Sequence, residues 1–411
     1  MCESKLTLKK IILHAGLHKT GTTTIQNVLF QNRSILKKRN ILYPEFSINN
    51  RVFTNHSVPL LIQFASNPEK IHHVIIRGLG SRHKVLKQKA VHLADLKRQI
   101  AESKPDTLLI SAEGLSSQKF KIQDLKAMKA YFEEHYGNVQ FQVILTLRNP
   151  VKFFPSIIQQ QLKGLQTLHS SHERWLALSD GFFKKIVENF IDVFGYEHIT
   201  LVKFEDLIKH PKGMACAILE TLGYEDIKLS RKRTVHKNSS MSLEACALMS
   251  SINATVPKII VNKFNPDRKG FTSTKIIHIP GEKFVLNAKL SKKIVEPTKD
   301  DLDWCCETFN LEPYSNLDIP DEHPKKVWAS RTFIPLLFHY LSFPPKIRKS
   351  ITHTLKSESR APEQQIFQSQ KLKWATIFGV IGFLDLSARC TDLFLWYYSP
   401  LRKVYRALVK A

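Results

Sequence analysis

The sequence predicts an α/β fold: a P-loop-like parallel sheet flanked by helices, with a mainly helical, basic C-terminal extension. Three observations predict it. An apolar run at Ile11–Leu13 ends in a glycine loop and re-emerges as a helical pattern with Ile25, Val28, Leu29 and Leu36. Further short, β-rich apolar runs alternate with helical signals, as they do in a mostly parallel sheet covered on both faces. The end of the chain is basic and carries an apolar helical stretch. The expected domains are 1–320 for the α/β body and 321–411 for the extension, with 49–104 inserted into the body.

The first element is the most informative. Strand, glycine loop and helix N-terminus together make an anion site, because unpaired N–H groups converge there and the helix dipole favours negative charge. Glycine lets backbone approach a ligand, and threonines add hydroxyl donors. A nucleotide-triphosphatase loop reads G-x-x-x-x-G-K-[ST]. Gly16 and Gly21 have that spacing, but Thr22 stands where the lysine belongs, and the lysine is Lys19, before the second glycine. That placement suits a leaving group that needs a positive charge without an obligatory metal. The plain alternative is an ordinary βα turn.

Segment 49–104 is polar and rich in His and basic residues, among them His72, His73, Arg82, His83, Lys84 and Lys87. It reads as a lid or acceptor-side insertion. Its histidines lack metal-ligand spacing, so no metal is expected. Thr107–Gly114 reads as a buried strand that ends in a carboxylate, Glu113. Val139–Leu147 is a longer β-rich run followed by Arg148, Asn149 and Pro150. Proline stops a strand because it cannot donate to the ladder. Arg148 therefore lies at a strand's carboxyl end, where open α/β sheets bind ligands, and Ser156 lies near the start of the next helix. A guanidinium binds a terminal phosphate through two bonds, and a hydroxyl completes the contact.

These two motifs, in this order and spacing over roughly residues 8–240, resemble the sulfotransferases that use 3′-phosphoadenosine 5′-phosphosulfate (PAPS). The stretch His14-x-Gly16-x-x-Lys19-Thr20-Gly21-Thr22-Thr23 is most similar to bacterial sulfotransferase-domain proteins, as are Tyr43-Pro44 and His56. The resemblance implies PAPS as donor. Lys19, Thr20, Gly21, Thr22, Thr23 and Thr24 would hold its 5′-phosphosulfate, and Arg148 with Ser156 its 3′-phosphate. Family members place the catalytic base at the end of the preceding strand, here Glu113, with His56 as the rival. The bland alternative for Glu113 is a helix cap. His198–Leu207 reads as a strand running into an acidic turn. In the basic loop 231–240, Lys237 and Asn238 are the candidates to touch the 3′-phosphate, against the alternative of a solvated loop.

Charge and cysteine content bound the rest. The net charge is +25, from 61 Lys and Arg against 36 Asp and Glu. No nucleic-acid-binding signature accompanies it, so no nucleic-acid partner is expected. The charge is uneven: from Pro324 to Ala411 there are fifteen Lys and Arg and four Asp and Glu. Trp374–Leu384 is apolar but too short to span a bilayer, and the polar stripe Asp385, Arg389, Asp392 and the aromatics Phe394–Tyr398 follow. That pattern fits an anionic membrane surface, and equally a helix packed on its own domain or a partner. Six cysteines, two of them adjacent, make no disulfide framework, and Met1–Lys10 resembles neither a signal peptide nor an anchor. The expected location is a reducing cytoplasm, peripheral at the inner membrane face.

The expected function is therefore sulfuryl transfer from PAPS, without a metal, to a hydroxyl of an acceptor, taken by analogy as a carbohydrate or glycolipid. Two alternatives remain: a kinase-like P-loop nucleotide-binding protein, and a non-enzymatic basic membrane-binding protein.

Overall fold

The computed structural model describes residues 8–230, 240–315, 317, 319, 326–360 and 368–387. The N-terminal half runs β1 (Lys10–His14), α1 (Thr22–Gln31), α2 (Arg33–Lys37), β2 (Ile41–Leu42), the hairpin β3 (Phe46–Ile48) and β4 (Arg51–Phe53), then α3 (Ser57–Phe64), α4 (His72–Ile75) and α5 (Arg82–Ser103). It continues with β5 (Thr107–Ser111), α6 (Ile122–Tyr136), β6 (Gln140–Leu147), α7 (Pro150–Gly164), α8 (Leu168–Leu178), α9 (Phe182–Phe194), β7 (Ile199–Lys203), α10 (Phe204–Lys209) and α11 (Met214–Thr221).

Five parallel strands form the central sheet in the order β2-β5-β1-β6-β7. Its register sets Lys10 opposite both Thr107 and Gln140, and His14 opposite Ser111 and Ile144. The strand sequences are near-continuous apolar runs because both faces are covered. Ile12, Leu109 and Ile144 face one side, where Ile25 and Leu29 of α1 and Ile218 and Leu219 of α11 pack on them. The alternate residues face the other side, where Phe141 meets Phe194 of α9 with ring centroids 5.2 Å apart. The sheet thus holds the carboxyl ends of β1, β5 and β6 side by side, and the loops that follow them build the candidate site.

The chain divides into two compact units, and the division does not fall at a single boundary near 320. Residues 1–157, 176–237 and 291–319 form the unit with the sheet. Residues 158–175, 238–290 and 320–411 form the second. The insertion 49–104 belongs wholly to the first.

The second unit is mainly helical: α12 (Leu243–Thr255), a hairpin of β8 (Ile259–Ile260) and β9 (Lys263–Phe264), and α13 (Thr274–Ile277). After α14 (Ala288–Val295), most of which belongs to the first unit, and α15 (Lys299–Thr308), wholly in the first unit, the second unit resumes with α16 (Ser330–Tyr340), α17 (Pro345–Ser359) and α18 (Gln368–Ser387). Arg268 is buried there and donates to the carbonyls of Val256 and Ile252 and to Asn253. On α18, Ile377, Ile381 and Leu384 are buried, so one face of the apolar stretch is packed. No helix among the described residues is long and apolar enough to cross a membrane. The aromatic and basic positions from Phe394 onward lie outside the described residues.

Candidate functional site

The loop between β1 and α1 coils tightly. Lys19 has φ 67° and Gly21 φ 77°, both in the left-handed region. Gly21 is favoured by its φ, and a Cβ there would lie 2.7 Å from Met214 Sδ, so the end of that side chain would have to move. A Cβ on Gly16 would crowd His14 Nε2 at 3.1 Å and Thr146 Oγ1 at 3.2 Å, two buried polar atoms without a hydrogen-bond partner among the described residues. Thr20 ties the loop to itself by donating to Leu17 O at 2.5 Å. The N–H groups of Thr24 and Ile25 bond Gly21 O, which leaves the earlier N–H groups of the turn aimed outward, as at any helix start.

Arg148 closes this loop from the side. Its Nη1 donates to Lys19 O, and its guanidinium carbon lies 4.9 Å from the centroid of the Phe204 ring. Its Nε is buried without a partner among the described residues. Burial lowers the pKa of Arg148, and Glu205 acts against that. Glu205 also accepts the Asn149 N–H at 3.2 Å, so the acidic turn after β7 braces the turn that carries Arg148. Ser156 is half-buried in α7, on the helix that starts at Pro150.

Glu113 stands at the other side of the loop, just beyond β5. Thr22 Oγ1 donates to its Oε2, and its Oε1 lies 3.5 Å from His18 Nδ1. Burial acts to raise the Glu113 pKa, but His18, Thr22 and Lys19 outweigh it and hold the carboxyl at about 2. Ser116 fixes the turn to the loop by donating to Gly16 O at 3.3 Å. The insertion reaches the same place. Burial and the charges of Lys119, Arg77 and His18 lower His73 to about 3, and Glu113 acts against them. The His72 ring lies 3.6 Å from that of His73, tilted at 42°, and its Nδ1 is 2.8 Å from Lys119 Nζ.

His56 is in a different situation from Glu113. It is fully buried, accepts the Ser111 N–H at Nδ1 (3.1 Å) and donates from Nε2 to Pro44 O (2.9 Å). Burial lowers its pKa to about 3. A ring with both nitrogens committed to backbone ties β5 to the Tyr43–Phe46 segment and has no lone pair to offer an acceptor. The structure therefore brings Lys19, Thr20–Thr24, Glu113 and Arg148 together and gives His56 an internal, neutral position. We expect His56→Ala to cost about 3 kcal/mol of stability, from a cavity and two orphaned backbone groups, with nucleotide affinity unchanged. Urea unfolding and calorimetry check this; unchanged stability with lost turnover would return His56 to the base role.

Lys237 and Asn238 lie outside the described residues. His18, Phe204 and Glu205 are parts of the arrangement that motif reading did not assign. The Phe204-Glu205-Asp206 run straight after a strand is their only trace in the sequence. Among the described residues, no group of three or more His, Cys, Asp or Glu side chains could hold a metal ion.

Residues 9–276, more than half of the chain, match the family model described as the sulfotransferase domain. No curated protein matches the chain. Among solved structures, a sulfotransferase from Alicyclobacillus acidocaldarius is similar at 12% identity, with 56% of this chain and 88% of that chain covered and a TM-score of 0.32. The sulfotransferase domain from the curacin biosynthetic pathway is similar at 13% identity, with 54% and 75% covered and a TM-score of 0.31.

Proposed function

The chain belongs to the sulfotransferase-domain family, and from that premise we propose that it moves a sulfuryl group from PAPS to a hydroxyl of an acceptor, a carbohydrate or glycolipid. One observation carries the reading. A lysine placed before the second glycine sits on a left-handed loop with outward N–H groups, and a half-buried arginine with an unpartnered Nε closes that loop. These residues fit a long nucleotide charged at both ends: loop N–H groups and threonine hydroxyls at the 5′ end, and Arg148 with Ser156 at the 3′-phosphate. PAPS supplies an activated sulfuryl group on a phosphate leaving group.

The residues then divide the work. The loop N–H groups and Arg148 fix both ends of the donor and so orient it for in-line attack. Lys19 stabilises the negative charge that collects on the leaving phosphate oxygen. Glu113, ionised at neutral pH, accepts the proton of the attacking hydroxyl. Lys237 and Asn238 add contacts to the 3′-phosphate. The basic tail suits an acceptor held at an anionic surface, and the reading is of a cytoplasmic enzyme.

Calorimetry tests the donor assignment. Binding of 3′-phosphoadenosine 5′-phosphate (PAP) should be tight, unaffected by magnesium, and at least roughly tenfold tighter than binding of ADP, since ADP lacks the 3′-phosphate that Arg148 would meet. Preference for ADP with magnesium would select the kinase-like alternative. Binding of neither would leave the non-enzymatic one.

A further inference from the structure

A cavity of about 550 Å³ lies within the first unit, between residues 115–125 and residues 177–190. Its volume falls in the range of small-molecule sites, roughly 300–1,000 Å³. It sits at the N-terminal ends of α6 and α9, and the segment 112–121 leads to α6 from the carboxyl end of β5. That is the side of the sheet on which α/β folds bind ligands.

The lining is largely apolar. Leu115, Phe120 and Phe190 form buried parts of the wall, while Leu178, Phe182 and Ile186 stay half-exposed and face the hollow. Such side chains gain from an occupant that removes them from water. The polar groups at the cavity include Lys121, Lys185 and Asp180, an excess of positive charge.

Ser116 connects this cavity to the chemistry. It lines the cavity and donates to both Gly16 O (3.3 Å) and Glu113 O (3.0 Å). The hollow therefore begins at Leu115, two residues from Glu113, and Ser116 ties its wall to the loop after β1.

We propose that this cavity takes the apolar portion of the acceptor, so that the acceptor is an amphiphilic alcohol whose hydroxyl-bearing head lies toward Glu113. A free sugar would leave the hollow unfilled; a sugar or polyol on an alkyl or aryl chain would fill it. The assignment rests on the sulfuryl-transfer reading above.

The test uses the full chain with two probes, methyl β-D-glucopyranoside and octyl β-D-glucopyranoside, the latter below its micellar concentration. Calorimetry should find saturable octyl glucoside binding at least roughly tenfold tighter than methyl glucoside binding, because only the octyl chain carries enough apolar area to fill the cavity. Ile186→Trp, which fills the hollow, and Leu178→Asp, which places a charge in it, should each weaken octyl glucoside binding at least roughly tenfold. PAP binding and thermal unfolding of both variants should match the wild type. Equal binding of the two glucosides, or octyl glucoside binding unmoved by both variants, would overturn the proposal. Failure of the donor reading is separate: it appears as absent PAP binding by the wild type, whatever the glucosides do, and removes the grounds for calling the occupant an acceptor.

Discussion

Lys19→Ala should lower donor turnover by roughly 10²–10³-fold and leave PAP affinity within a few-fold of wild type, because its charge matters most where negative charge develops. Arg148→Ala should do the reverse in emphasis and weaken PAP binding by roughly 10²-fold, the scale of a lost charge-assisted phosphate contact. The contrast follows from placement. Lys19 is itself part of the left-handed turn before the helix start, whereas Arg148 reaches in from the end of β6. Release of PAP from PAPS gives the rates, and calorimetry the affinities. Near-normal turnover in Lys19→Ala would sink the assignment.

Glu113→Gln should lower turnover by roughly 10²-fold or more, the usual share of a positioned proton acceptor. It should also change acid stability in a defined window. The folded carboxyl sits at about 2 against an ordinary 4.5, since His18, Thr22 and Lys19 outweigh burial. A depressed carboxylate adds stability above its unfolded pKa and loses it as pH falls through the folded value. Wild type should therefore lose this contribution between about pH 4.5 and about pH 2, while the Gln variant does not. Urea midpoints measured across that range check it. On the proposed reading, the acceptor hydroxyl approaches a carboxylate that already holds Thr22 on one oxygen and has His18 beside the other.

Much of the sheet is legible in the sequence because parallel strands buried on both faces are apolar throughout, as at Ile11–Leu13, Leu108–Ile110 and Val143–Leu145. The two-residue strand Ile41–Leu42 carries no such signal, and it exists because its neighbour β5 offers a free edge. The glycine loop after β1 and Arg148 at the end of β6 stand out in the sequence because each motif is local. What joins them does not. The Arg148–Lys19 bond spans 129 residues, and the Thr22–Glu113 bond spans 91. His56 shows the limit from the other side: a histidine in a polar stretch looks available for chemistry, and only the packing of Tyr43 and Phe46 around it makes it internal.

Lys19 has one more consequence. A non-glycine residue in the left-handed region costs roughly 1–2 kcal/mol, so something has to hold it there. The bond from Arg148 to its carbonyl is one such restraint, and it makes the arginine a latch on the lysine's backbone. On the proposed reading the same guanidinium serves the far end of the nucleotide. Loading or emptying that end then alters how firmly the ammonium is aimed at the near end. A donor trimmed of its 3′-phosphate would accordingly be slow as well as weakly held, with the two ends of one ligand communicating through a single peptide carbonyl.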